Sequence, residues 1–263
     1  MNGDELILAL TMMRTWGLWR VSDFIQRHHF DVEECYKALE TEMYKNEQKE
    51  IETNLKLAHN RIEASRNYEV YFISMFNPFF PEKLYKSNVP CVYLFYMGDI
   101  TILNEKAAGV FGTTNLKEEF IEPGKRLIKS LLDKDYVIVS GLSFGCEALA
   151  MTTTVELKGR AIAVLPGSVD VVTPIQHQQL AQDIVKGGGL LVSDYGINEE
   201  FNKRHYVRRD CLISTFADFG VIINDNFEKF NQTEKLARSF NFSKKKVYVL
   251  KGNRLDCFDV FEI

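Results

Sequence analysis

The stretch Val137-Ile-Val-Ser-Gly-Leu-Ser-Phe-Gly145 decides the fold. An apolar strand runs into Ser140-Gly141, and a second glycine, Gly145, opens a helix with Ala148, Leu149 and Met151 on one side. A strand, a tight loop and a helix start gather unpaired backbone N–H groups and the positive end of a helix dipole at one spot. That suits an anion such as phosphate. Glycines shape βα turns with or without a ligand, so the stretch alone reads equally as a plain turn in an α/β core.

The rest of the chain bounds the setting. At 263 residues with 46% apolar content, it can bury one large α/β domain and a smaller attachment. The net charge of −4 rules out a polycationic surface, so any nucleic-acid contact has to come from a local basic patch. The cysteines, Cys35, Cys91, Cys146, Cys211 and Cys257, are odd in number and scattered, which argues against a disulfide framework or a zinc knuckle. The first residues are acidic where a signal peptide is basic, and no apolar run approaches a membrane span. A cytoplasmic protein without membrane contact is expected.

Outward from the central stretch, residues 4–43 show helical spacing, with Leu6, Leu8, Ala9, Leu10, Met12 and Met13 in one apolar set and Val21, Phe24 and Ile25 in another. Asp31 is placed to cap a third helix. His28 and His29 are adjacent, so on a helix they diverge by about 100° and do not share a metal. Residues 44–66 are rich in Lys, Glu, Asn and Gln and predict a solvated helix or linker. Residues 68–97 hold three prolines among many aromatics and predict extended structure and turns.

From residue 104 onward, apolar runs at 107–111, 136–140, 161–165, 189–193, 220–224 and 246–250 alternate with helical stretches. Continuous Val/Ile/Leu runs are strands buried on both faces. Right-handed crossovers then build a Rossmann-like, mostly parallel α/β sheet with helices on both faces. The expected domains are a helical module with linker helix over 1–66 and the Rossmann-like domain with its extension over 67–263. Ligands in such sheets sit beyond the carboxyl ends of the strands. Those ends are Gly112-Thr113-Thr114-Asn115, Ser140-Gly141-Leu142-Ser143, Pro166-Gly167-Ser168 and Asp194-Tyr195-Gly196. No Gly-x-Gly-x-x-Gly follows the first strand and no Gly-Lys-Ser/Thr P-loop occurs, which weakens dehydrogenase and NTPase readings.

At these loops the chain resembles the DNA-processing protein A family (DprA/Smf). The resemblance runs through Phe80-Pro81-Glu82-Lys83-Leu84, Pro90-Cys91-Val92-Tyr93-Leu94 with Gly98, Phe111-Gly112-Thr113-Thr114, Ser140 to Glu147, Ala163 to Asp170, and Ser193-Asp194-Tyr195. It implies single-stranded DNA held in a basic pocket on these loops, a homodimer, delivery of the strand to a RecA-type recombinase during DNA uptake, and no catalysis, cofactor or metal. Loop N–H groups and cations hold phosphates with little sequence preference, while a flat side chain stacks a base.

This chain departs from the family pattern at several points. Thr114 replaces an arginine, and Arg209-Asp210-Cys211 stands for Arg-Asn-Arg. Asn224 or Asp225 replaces a glutamate, and Lys251-Gly252 replaces Pro-Gly. The window Lys203-Arg204-His205-Tyr206-Val207-Arg208-Arg209 is the most basic in the chain and offers replacement cations. The expected DNA and phosphate contacts are therefore Gly112, Thr113 and Thr114; Ser140, Gly141, Ser143, Phe144 and Gly145; and Lys203, Arg204, Arg208 and Arg209. Glu147, Asp170 and Asp194 are read as loop-capping carboxylates, and Lys244-Lys245-Lys246 as a solvated turn. Two alternatives stay open. One is a phosphoribohydrolase-like protein acting on a nucleotide-derived ligand, although Pro166-Gly167-Ser168-Val169-Asp170 stops short of that family's Pro-Gly-Gly-x-Gly-Thr-x-x-Glu loop. The other is an interaction module that has lost its ligand.

Overall fold

The computed structural model describes residues 2–42, 45–197, 199, 202–223, 232–251 and 254–258. Asn224 and Asp225, where the sequence departs from the family pattern, and Gly252 of the Lys251-Gly252 pair lie outside the described residues. The chain divides into two compact units, Met1–Tyr96 and Met97–Ile263. The division expected after Arg66 falls inside the first of them.

In the first unit, α1 (Gly3–Thr11) begins where the Asn2 side chain accepts a hydrogen bond from the Asp4 N–H, 3.0 Å, and buries every residue from Leu6 to Leu10. Helix α2 (Leu18–Arg27) follows, and then α3 (Val32–Glu42), whose first turn is capped by the Asp31 carboxylate accepting from the Glu34 N–H at 2.9 Å. The long α4 (Lys45–Arg66) is less solvated than its composition predicts. It packs on α1 with Ile51, Ala58 and Ile62 buried, and the Asn54 amide donates to the Ala9 carbonyl, 3.3 Å. Four well-spaced residues suffice to make that seam, so a low apolar count hides it. Strand β1 (Tyr71–Ser74), the short α5 (Glu82–Tyr85) and β2 (Tyr93–Gly98) complete this part, with β1 and β2 antiparallel from Tyr71 opposite Tyr96 to Ser74 opposite Tyr93.

The second unit carries the predicted strand and helix series. Strands β3 (Ala107–Gly112), β4 (Val137–Ser140), β5 (Ala161–Val164), β6 (Leu190–Ser193), β7 (Phe219–Ile223) and β8 (Val247–Lys251) are parallel and lie in the order β6-β5-β4-β3-β7-β8. A further strand, β9 (Arg254–Phe258), pairs antiparallel with β8 and is absent from the sequence expectation. The helices are α6 (Ile121–Leu132), α7 (Cys146–Glu156), α8 (Gln178–Lys186), α9 (His205–Phe216) and α10 (Gln232–Phe242). Right-handed crossovers send α6, α7 and α8 to one face as the chain steps from β3 to β6, and α9 and α10 to the other as it steps back past β3. Leu127, Ile128 and Leu131 of α6 and Ala150 of α7 close over Val110, Ile138 and Val221, a fully apolar layer that fixes the strand ends. The direction of winding reverses between β3 and β7, and the crevice outside the carboxyl ends at such a point is where open α/β sheets take ligands. Among the described residues no helix is long and apolar enough to cross a membrane.

Candidate functional site

The loops after β3 and β4 are built against each other. Gly145, the residue before α7, has φ 72°, and a Cβ there would meet the Thr113 carbonyl oxygen and lie 2.6 Å from the Thr114 carbonyl carbon. Both the dihedral and the approach demand glycine. The first N–H of α7, on Cys146, donates to the Thr113 carbonyl at 3.0 Å, so one of the helix's N-terminal donors is already used internally. The N–H groups of Phe144 and Gly145 make no hydrogen bond to any described residue, and the Thr114 side chain is exposed beside them. Gly112 ends β3 in register with Ile223, and the Thr113 hydroxyl accepts from the Asn115 N–H at 3.1 Å. Ser140 points away from this surface: it is fully buried and its hydroxyl donates to the Val110 carbonyl at 2.5 Å.

Behind the loop lies a buried ionic cluster. Arg209, 1% exposed, directs its guanidinium at Glu147 and Asp210. Nε and Nη2 donate to Asp210 Oδ1 at 3.1 and 2.8 Å, Nη2 and Nη1 donate to Glu147 Oε1 and Oε2 at 3.2 Å each, and Nη1 donates to the Ser143 hydroxyl at 3.3 Å. All five guanidinium donors are matched. The Tyr206 ring lies 4.9 Å from the guanidinium carbon. Glu147 Oε2 also accepts from the Ser143 N–H at 2.9 Å. Burial alone would lower the Arg209 pKa; the Glu147 and Asp210 carboxylates outweigh it, and the net shift is upward. Burial pushes the Asp210 carboxyl up to about 6 against the pull of Arg209. Two carboxylates thus share one buried guanidinium.

The cluster changes the role of two residues that the sequence assigns to phosphate. Arg209 would have to abandon two buried carboxylates to reach a strand, at a cost of about 3–5 kcal/mol. A charged hydrogen bond to phosphate returns about 1.5–3 kcal/mol, so Arg209 stays inside. Gly141 is needed because a Cβ there would meet Glu147 Oε2 and come within 2.6 Å of Arg209 Nη1, so the glycine makes room for the ion pair.

The remaining strand ends complete the rim. Asp194, after β6, pairs with Arg208, both nearly buried, so that cation is committed within the fold. Tyr195 stacks on His205 with centroids 3.7 Å apart, and His205 Nδ1 lies 3.2 Å from the Pro166 carbonyl, which ties the starts of two loops to α9. Burial, then the Asp194 charge, raise the Tyr195 pKa. Asp170 accepts from the Ser168 hydroxyl. Each of the three carboxylates read as loop caps is engaged in that way. Phe144, 48% exposed, meets the edge of His177, 4.9 Å between centroids, and His177 Nδ1 is 2.5 Å from the Leu142 carbonyl. Lys203 and Arg204 are exposed at the start of α9, their side chains making no hydrogen bond or ion pair with a described residue. Cys211, at the position of a family arginine, is partly buried, and burial pushes its thiol pKa up.

The structure therefore brings together Gly112 to Thr114, Gly141 to Gly145 and Arg209. Arg208 belongs to a neighbouring pair, and Lys203 and Arg204 lie exposed just ahead of α9. The roles of His205 and His177 in holding the loops carry no signal in the sequence, although His205 lies in the basic window. No spacing in sequence joins them to carbonyls 39 and 35 residues away.

These features define an α/β protein of the Rossmann-like class, with its candidate site on loops at the carboxyl ends of the sheet. The family model described as DNA recombination-mediator protein A matches residues 71–249, and the chain belongs to that family. It is 31% identical over 153 residues to the DNA processing protein DprA of Bacillus subtilis, covering 58% of this chain and 50% of that protein. Against DprA of Streptococcus pneumoniae the identity is 27% over 165 residues, covering 63% and 57%. The chain spans about half the length of the curated relatives it matches. In three dimensions it is similar to the X-ray structure of S. pneumoniae DprA, with TM-score 0.68 and 18% identity over 97% of this chain and 84% of that one. It is also similar to Helicobacter pylori DprA, a structure described for its single-stranded DNA binding mode, with TM-score 0.61 and 22% identity over 73% and 85%. At these identities the likeness is one of fold.

Proposed function

We propose that the chain binds single-stranded DNA across the carboxyl-end loops and serves as a recombination mediator, passing the strand to a RecA-type recombinase. It acts as a homodimer in the cytoplasm, and the strand is held, not turned over. The observation that carries this reading is the meeting of unused N–H groups at Phe144 and Gly145 with the exposed Phe144 ring, inside the segment that matches the mediator family. Phosphate is taken by the amides and by Lys203 and Arg204, and Phe144 offers a face on which an unstacked base rests. The three carboxylates near the loops are each tied to a neighbour, so none is poised as a free base for N-glycosidic cleavage.

The test is a titration of labelled single-stranded and duplex oligonucleotide at about 50 and about 200 mM salt. Single strands bind, bind more weakly at the higher salt, and are preferred over duplex. Absence of single-strand binding at the lower salt contradicts the reading. Release of free base from a nucleoside monophosphate moves it to the hydrolase alternative.

A further inference from the structure

Ser143 is tied twice to the buried pair, through its N–H to Glu147 and through its hydroxyl to Arg209. Gly141, two residues earlier, lies so close to both partners that a side chain has no room. The backbone from 141 to 143 is thus moulded on an ion pair that is itself out of solvent. Immediately beyond it come Phe144 and Gly145, the residues with the unused N–H groups. On the other side of the pair, Arg209 lies within the first turns of α9, the helix that Lys203 and Arg204 precede.

We propose that Glu147 and Arg209 are positioning residues for the nucleic acid: they fix the 141–145 loop to α9 so that the loop amides and the Lys203 and Arg204 cations meet one strand together, and neither touches phosphate. The proposal rests on the single-stranded DNA reading above. A loop already held in its bound shape loses no conformational freedom on binding, so the pair contributes to affinity without adding a contact.

Salt dependence separates positioning from contact. Each phosphate contact on a single strand contributes about 0.7 to the slope of log affinity against log salt. The experiment measures that slope with a labelled oligothymidylate for the wild type, Lys203→Gln, Glu147→Gln, Arg209→Gln and the triple variant Glu147→Gln/Arg209→Gln/Asp210→Asn. It adds hydrogen exchange of the 140–146 segment without DNA. Lys203→Gln loses about 0.7 of slope. Glu147→Gln and Arg209→Gln weaken binding by about tenfold with the slope unchanged, as expected when a buried donor or acceptor loses its partner. The triple variant, which replaces the charged cluster by a neutral one, recovers part of that loss. Ser143 amide exchange rises about tenfold in Glu147→Gln.

A slope reduced in Arg209→Gln as in Lys203→Gln overturns the proposal, because Arg209 then touches phosphate. Unchanged affinity in Glu147→Gln, or unchanged Ser143 exchange, overturns it as well. Should Arg209→Gln fail to fold, Glu147→Gln and the triple variant decide by the same readouts. If the wild type itself binds no single strand, the functional reading has failed, and Ser143 exchange alone decides whether the pair holds the loop.

Discussion

The two ends of one seven-residue window, 203–209, contrast with each other. At its start Lys203 and Arg204 are exposed and unpaired with any described residue. At its end Arg209 is almost wholly buried with every donor engaged, and Arg208 beside it is committed to Asp194. In sequence the window is a single basic patch. In the fold it is a surface that offers charge and a core element that consumes it. The helix accounts for the difference: α9 starts at His205, so residues ahead of it project into solvent while those one turn inside face the β4 loop. A charge counts toward a ligand only where no internal carboxylate has claimed it.

Substitutions along the window separate the two halves. Arg209→Ala gives the largest effect, a loss of about 3–5 kcal/mol in urea unfolding, because Glu147 and Asp210 are left buried without their cation. A loss below about 1 kcal/mol would place Arg209 at the surface after all.

Asp210→Asn comes next and has the opposite sign. The raised pKa means that the folded chain still holds a proton on Asp210 where the unfolded chain has released it, so stability falls as pH rises from about 4 to about 6. Removing the titration stabilises the protein at pH 7 by about 1–3 kcal/mol and flattens the stability profile in that window, with little change near pH 4. Gln232, which donates to the other Asp210 oxygen, keeps a bond by turning its amide over. A profile that keeps its slope in the variant contradicts the assignment. Gly141→Ala costs about 1–3 kcal/mol, read as a lowered melting temperature, since the new methyl group presses on the ion pair. Lys203→Gln changes stability by less than about 0.5 kcal/mol, the usual scale for an exposed site.

The parallel sheet was legible because its strands are continuous apolar runs; the six predicted runs match β3 to β8 to within a residue at each described end. Strand β9 was not, since Arg254-Leu-Asp-Cys-Phe258 mixes charges with apolar residues as an antiparallel edge does. Residues 44–66 read as solvated because only a few positions of α4 carry its packing on α1. Lys245 read as part of a solvated basic turn, yet its ammonium donates to the carbonyls of Ser214, Thr215 and Ala217 and closes the end of α9.

At the site, the loop positions were legible from the strand ends, but the direction of each side chain was not. Arg209 and Glu147 are 62 residues apart and nothing local announces their pairing, so a buried cation and a surface cation look alike in sequence. Gly141 reads in sequence as a phosphate turn for the same reason: a glycine reports a close approach without saying what approaches.

The exposed half of the window is proposed to hold the strand, and the buried half to hold the fold. That division is tested most directly by the salt dependence of single-stranded DNA binding in Lys203→Gln/Arg204→Gln against the wild type, with melting temperatures recorded alongside. The expected result is a slope reduced by about 1.4 at an unchanged melting temperature. An identical slope in the two proteins would contradict it.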